Sequence, residues 1–439
     1  MLTLLGFGMV IVFMALIMTK RLSPLVALIT IPILFALVGG FGGPDLGKMM
    51  LEGIKTLAPT GVMLMFAILY FGVMIDAGLF DPVVRRIVKA VGGDPLKVVV
   101  GTAILAAFVS LDGDGSTTYM ITVAAMLPLY RRLGMDALNL TCVTILAGGV
   151  MNLTPWGGPL ARAASALHVD PSDVFVPMIP AMVVGVAGVI GLAFVLGKRE
   201  RLRLGTIDLH GAPEIQDSAL LPADDGEHLA LKRPHLLWVN ALLTAALMVC
   251  LVLGVLPLSV LFMVAFSIAI VINYPNVKLQ RDRVSEHAKN ALPVVAVIFA
   301  AGVFTGILSG TGMVDAMSGS FLAIIPDAWG PYLATITALA SMPFTFFISN
   351  DAFYYGVLPI VSQAAETYGI TPVEMARASL IGQPVHLLSP LVPSTYLLVG
   401  LAGVEFGDHQ KFTLKWAVLI CLLMMATAMA CAVFPFVVR

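Results

Sequence analysis

The sequence predicts an all-α polytopic membrane protein built from two inverted repeats, each with a re-entrant helical hairpin and a broken transmembrane helix. Three observations carry this expectation. First, 59% of the 439 residues are hydrophobic and 12% are charged, with a mean hydropathy of +0.98, which is more apolar surface than one soluble core hides. Second, a single threading of the chain places almost every cluster of Lys and Arg on one side of a bilayer. Third, one order of elements occurs on both sides of a polar linker at 198–234: a spanning helix, a Gly-X-X-Asp turn, a hairpin, a broken helix and a spanning helix. The two series start on opposite sides, which makes the repeat inverted.

The elements follow in order. Residues 2–18 are apolar, and Lys20 and Arg21 follow them rather than precede them. A cleaved signal peptide carries its charges first, so this segment reads as a retained helix with its amino end outside. The cytoplasmic side then receives Lys20/Arg21, Arg85/Arg86/Lys89/Lys97, Arg131/Arg132, Lys198/Arg199/Arg201/Arg203, Lys232/Arg233, Lys278/Arg281/Arg283/Lys289 and Lys411/Lys415. Lys48, Lys55, Arg439 and loops such as 168–173 and 311–330 fall on the other side. This works only if segments 98–130 and 332–368 enter and leave by the same face, because each of their arms is about a dozen residues where a span needs ~20. Broken helices follow at 138–167, interrupted at Asn152-Leu153-Thr154-Pro155-Trp156-Gly157-Gly158-Pro159, and at 374–404, interrupted at His386-Leu387-Leu388-Ser389-Pro390. Proline removes a donor and frees carbonyls there. The expected organisation is a first repeat over 1–197, a cytoplasmic linker over 198–234 and a second repeat over 235–439. Ala77-Gly78-Leu79-Phe80-Asp81 matches Thr311-Gly312-Met313-Val314-Asp315 before each hairpin, and the leading segments 2–41 and 235–273, apolar all round, suit either lipid or a partner copy.

The chemistry concentrates at the hairpin tips. Ser110-Leu111-Asp112-Gly113-Asp114-Gly115-Ser116-Thr117-Thr118 places two carboxylates at membrane depth, where they are costly unless they bind a cation, a proton or a donor. Two carboxylates about 6 Å apart at an effective dielectric near 20 repel by roughly 3 kcal/mol. Asp112 and Asp114 should therefore share a proton or a cation. The second tip, Ser349-Asn350-Asp351, supplies a third carboxylate, and His386 a group that titrates near neutral pH. Asp112, Asp114, Asp351 and His386 form a proton-coupling set, and the three aspartates a candidate cation set. Ser116, Thr117, Thr118, Asn152, Thr154, Ser349, Asn350 and Ser389 suit a polyoxygenated anion, helped by helix N-termini after each tip. Arg162 fits a substrate carboxylate or an internal ion pair. Structural alternatives stand beside these: helix capping for Asp112 and Asp114, a core histidine for His386, turn or cap roles for Asp76, Asp81 and Asp315, an interfacial anchor for Arg377, and interdomain packing for Trp156.

Other classes fit less well. A net charge of -1 gives no sign of a nucleic-acid partner, and Cys142, Cys250, Cys421 and Cys431 lie in apolar runs without metal-like spacing. A calcium loop at Asp112-Gly113-Asp114 fails because its twelfth position is Val123. An intramembrane aspartyl protease needs two helical catalytic aspartates and leaves the hairpins unexplained. The architecture points to a secondary transporter rather than an enzyme, with substrate near the midplane.

Four stretches carry a family resemblance: Leu5-Gly6-Phe7 through Leu28, Phe66-Ala67-Ile68-Leu69-Tyr70-Phe71-Gly72 through Pro82, the Ser110–Thr118 tip, and Met151-Asn152-Leu153-Thr154-Pro155-Trp156-Gly157-Gly158-Pro159. Together the chain closely resembles the citrate–metal–proton symporter (CitMHS) family of the ion transporter superfamily. The resemblance implies a multi-pass protein of the bacterial inner membrane, an elevator-type homodimer, importing citrate as a complex with a divalent metal such as Mg²⁺ or Ca²⁺ in symport with protons, with no permanently bound cofactor. Sodium-coupled relatives carry Ser-Asn-Thr at both tips. Here the second tip is Ser349-Asn350-Asp351 and the first Asp-Gly-Asp-Gly, departures that favour protons. A carrier of a dicarboxylate, gluconate or a free tricarboxylate is the alternative within the same architecture.

Overall fold

The computed structural model describes residues 1–91, 93–113, 115–205, 230–323 and 326–438, and among the described residues it contains helices, turns and loops but no strand. The first half runs through α1 (Leu2–Met18), α2 (Pro24–Val38), α3 (Gly43–Asp76), α4 (Asp81–Val91), the hairpin arms α5 (Pro95–Val109) and α6 (Gly115–Leu133), the pieces α7 (Ala137–Met151) and α8 (Gly158–Leu167), and α9 (Pro171–Leu204). The second half repeats that order: α10 (Leu237–Val252), α11 (Leu258–Asn273), α12 (Val277–Gly310), α13 (Met313–Leu322), the arms α14 (Leu333–Phe347) and α15 (Leu358–Glu366), the pieces α16 (Pro372–Ser379), α17 (Gln383–His386) and α18 (Pro393–Ala402), and α19 (Phe406–Ala430). Among the described residues, six helices are long and apolar enough to cross a membrane: Gly43–Asp76, Pro95–Asp112, Pro171–Leu204, Pro234–Val252, Val277–Gly310 and Phe406–Ala430.

Polar caps followed by proline set many helix starts. Asp94, Asp136 and Asp170 accept the amides of Leu96, Leu138 and Ser172 at 3.0, 2.9 and 2.7 Å. Thr371 and Glu374 form a reciprocal capping box at the start of α16. Each cap satisfies an amide that has no partner inside the helix, and after Asp94, Asp170 and Thr371 a proline removes another. These caps carry the first hairpin beyond its hydropathic limits: its arms are 95–109 and 115–133, with Arg131 and Arg132 in the last turn of α6, where cations suit the helix dipole. The Asp94 carboxylate also takes Arg201, tying the first arm to the end of α9.

The frame is the pair α3 and α12, each 34 residues long. A Cβ on Gly53 would lie 1.9 Å from the carbonyl oxygen of Gly302, so only glycine lets these backbones approach so closely. Gly310 packs on Met49, Phe299 on Gly61 and His287 on Gly72, so numbers rise along one helix as they fall along the other. α3 and α12 therefore pack antiparallel. At the end of α3, Asp76 accepts from Arg283 at 3.4 Å and lies 2.7 Å from His287 Nε2, so it joins α3 to α12 instead of only ending a helix. Trp238, Leu242 and Leu253 on and after α10 are exposed and leave an apolar outer face.

The second broken helix departs from the expected pattern. Besides the interruption at 387–392, it breaks at 380–382, where a Cβ on Gly382 would lie 2.6 Å from the backbone of Ser341. That close approach seats the break directly on α14. Arg377 donates to the carbonyls of Asp173 and Val433, so it links α16 to the start of α9 and to the chain end.

Candidate functional site

The first tip is a single 3-10 turn, Ser110–Asp112, closed by Gly113 at φ +79°. That left-handed conformation favours glycine, and a Cβ there would also lie 2.7 Å from the Trp156 ring. Trp156 donates from Nε1 to the carbonyl of Leu111 at 2.9 Å and packs on Phe71 and Phe262 with ring centroids 5.3 and 5.2 Å apart. It therefore touches the tip and packs against α3 and α11. Asp112 is buried. Asp114 lies outside the described residues, and with it the paired-carboxylate geometry. Ser116 and Thr117 are half-buried on the first turn of α6, while Thr118 is buried and donates to Ser110 Oγ at 3.2 Å. A cavity of about 140 Å³ adjoins this tip, lined by Ser110, Gly113, Thr118, Tyr119, Asn152 and Ser394 among others. Asn152 ends α7, and the buried Thr154 hydroxyl has no protein partner among the described residues.

The second tip spans 348–351, and a π-helical turn, Ala352–Val357, leads into α15. Ser349 Oγ accepts the amide of Ala352 at 3.2 Å and so caps the turn. Asn350 Oδ1 receives Gln383 Nε2 at 3.5 Å, a weak contact, while the same amide donates to Tyr354 OH at 2.8 Å. His386 is buried with Nδ1 2.7 Å from the carbonyl of Thr345. A carbonyl only accepts, so Nδ1 carries the proton and Nε2 the lone pair. Ser389 donates to the carbonyl of Phe346 at 2.7 Å and accepts from Leu391 N at 3.2 Å, so this hydroxyl fastens the helix break to the first arm of the hairpin. Asp351 meets Arg162 Nε at 2.6 Å.

Each tip is thus tied to its own break. The first touches that break through Trp156 and shares a cavity with Leu387 and Ser394 of the second half. The second touches its own break through His386 and Ser389 and reaches Arg162 in α8 of the first half. Among the described residues, no three of His, Cys, Asp and Glu converge with metal-binding spacing. Gln383, Tyr119 and Ser394 were not expected here. Gln383 stands in Gly382-Gln383-Pro384, a break signal two residues before His386, and Ser394 follows Pro393 as Leu160 follows Pro159.

Comparison with known proteins shows the family and the fold. The sequence profile of the family CitMHS, described as "Citrate transporter", matches residues 13–382. A protein of Bacillus subtilis (strain 168) named "Citrate transporter" is 61% identical over 99% of this chain and 100% of its own length. A second from the same organism, "Mg(2+)/citrate complex secondary transporter", is 56% identical over 98% of both. Two solved structures share the fold: the YdaH transporter of Alcanivorax borkumensis, with a TM-score of 0.55, 13% identity and 89% of each chain covered, and MtrF of Neisseria gonorrhoeae, with a TM-score of 0.59, 14% identity and coverage of 90% and 85%.

Proposed function

This chain belongs to the CitMHS citrate transporter family, and we propose that it imports citrate as a divalent-metal complex in symport with protons, held between the two hairpin tips. The observation that carries the proposal is that each tip is hydrogen-bonded to its own helix break, with Asp112 buried at one tip and Asp351 at the other, where it meets Arg162 of the first half. Free citrate has nearly three negative charges at neutral pH, and placing it beside carboxylates at membrane depth is prohibitive. A divalent cation removes two of them. Hard cations take oxygen ligands, and citrate supplies several, so a protein set smaller than a full metal cage suffices. The relative named for a Mg²⁺/citrate complex, 56% identical throughout, supports this substrate.

Protons fit Asp112, Asp351 and His386, whose Nε2 lone pair is available once Nδ1 is held by Thr345. The repeated element order and the antiparallel α3–α12 pair support reading the halves as inverted repeats about a midplane site. On that reading the tips and breaks slide as one body past the α3–α12 frame, the exposed face of α10 seats a second copy, and the amino end lies outside.

Uptake of labelled citrate into proteoliposomes tests the proposal. Chelation is expected to abolish uptake, labelled metal is expected to enter with citrate in fixed ratio, and a protonophore is expected to collapse accumulation while a sodium gradient does little. Undiminished uptake in EDTA would show that another carboxylate form is the cargo, and sodium dependence at constant pH would reverse the choice of driving ion.

A further inference from the structure

We propose that the Arg162–Asp351 ion pair is what selects the metal complex over free citrate: an ion-pair substrate opens an ion pair in the protein, its carboxylate taking Arg162 and its cation taking Asp351. The inference rests on metal–citrate being the cargo and assigns the selection to two residues 189 positions apart.

The contact is made for exchange. Arg162 meets Asp351 through Nε alone, at one carboxylate oxygen, although a guanidinium and a carboxylate are shaped for two parallel bonds. Nη1 is held by the carbonyl of Gly158 at 3.0 Å, and Nη2 has no protein partner among the described residues. Asp351 stands just before a helical turn, where an aspartate ordinarily caps, yet its side chain makes no cap bond and Ser349 does that work. Each partner therefore keeps bonding capacity in reserve, and the side chains are 20% and 12% exposed. Gly158 makes room: a Cβ there would lie 2.7 Å from Nη1.

Charge then discriminates. Removing one member of a poorly solvated pair strands the other without a counter-charge. Free citrate can take Arg162 but leaves Asp351 facing more negative charge; a bare cation does the reverse. The complex brings both signs, so both protein charges change partners and neither is stranded.

Calorimetric titration of the purified protein with Mg²⁺–citrate, and with citrate in EDTA, tests this. In Asp351→Asn the affinity for the complex is expected to fall about tenfold and that for free citrate to rise, so the preference narrows. A variant that keeps the parental ratio of the two affinities overturns the proposal. The exchange Arg162→Asp with Asp351→Arg preserves an internal pair whatever becomes of the single variant. Loss of transport by this folded protein supports the proposal; normal transport overturns it, because a purely structural pair is indifferent to exchange. A parent protein with no preference for the complex overturns the cargo reading itself, whereas a parental preference with an unchanged variant ratio overturns this inference alone.

Discussion

Asp81 and Asp315 occupy matching Gly-X-X-Asp turns, and their side chains tie those turns to other parts of the chain: Asp81 pairs with Lys232 at 3.0 Å, and Asp315 accepts from Gln363. Asp112 is buried inside a hairpin tip instead. Asparagine caps a helix about as well as aspartate but neither carries a proton nor neutralises a cation. Asp112→Asn is therefore expected to lower proton-driven citrate uptake at least about tenfold, a barrier change of ~1.4 kcal/mol, with Asp81→Asn nearer the parent because Asp81 lies outside both hairpin tips and an amide still accepts a hydrogen bond from Lys232. Initial uptake rates at matched protein density check this; equal rates make the first tip structural. His386→Asn keeps an N–H for the Thr345 carbonyl and loses the titrating ring. It is expected to retain citrate counterflow and lose accumulation driven by a pH gradient, and normal accumulation would return His386 to a core role. Residue types at depth single out Asp112, Asp351, His386 and Arg162 as candidates, and an internal ion pair at Arg162 was legible in the sequence. The partnership of Arg162 with Asp351 was not, since nothing local marks a contact across 189 residues.

At the scale of elements, hydropathy located the hairpins and the main breaks but not their ends, because apolar character continues through a turn. The limits lie in caps such as Asp94 before Pro95, and the extra break at 380–382 depends on Gly382 meeting the backbone of another helix, a tertiary fact. The α3–α12 crossing is similarly invisible as periodicity, yet it is a sharp packing constraint. Gly53→Val drives a side chain into the carbonyl of Gly302 and is expected to destabilise the fold by about 1–3 kcal/mol. Gly47 on the same helix has nothing within 4 Å of its Cβ position, so Gly47→Ala is expected to leave stability unchanged or slightly higher. Thermal unfolding followed by fluorescence size-exclusion compares the two; equal midpoints would mean the helices do not meet as described.

For the whole molecule, charge segregation and the recurring order of elements lead to the proposed orientation and repeat, while a contact between the parts proposed to move and to stay fixed required coordinates. That contact includes Gln363 in the second hairpin and Asp315 in α13, beside a cavity of about 350 Å³ that also touches α8 and α12. Under the proposed sliding motion, the hairpin arm travels with the tips while α13 follows the frame helix α12. Linking Asp315→Cys to Gln363→Cys with a short bifunctional methanethiosulfonate is then expected to stop citrate uptake, with dithiothreitol restoring it. Cys142 and Cys421 are buried and Cys431 is exposed, so a Cys431→Ser background removes the most accessible competing thiol. Each single-cysteine protein should transport normally and be insensitive to the reagent, which separates arrest by linkage from damage at either position. Parental uptake by fully cross-linked protein would show that these two elements stay together throughout the cycle, and the moving boundary would then have to lie elsewhere in the fold.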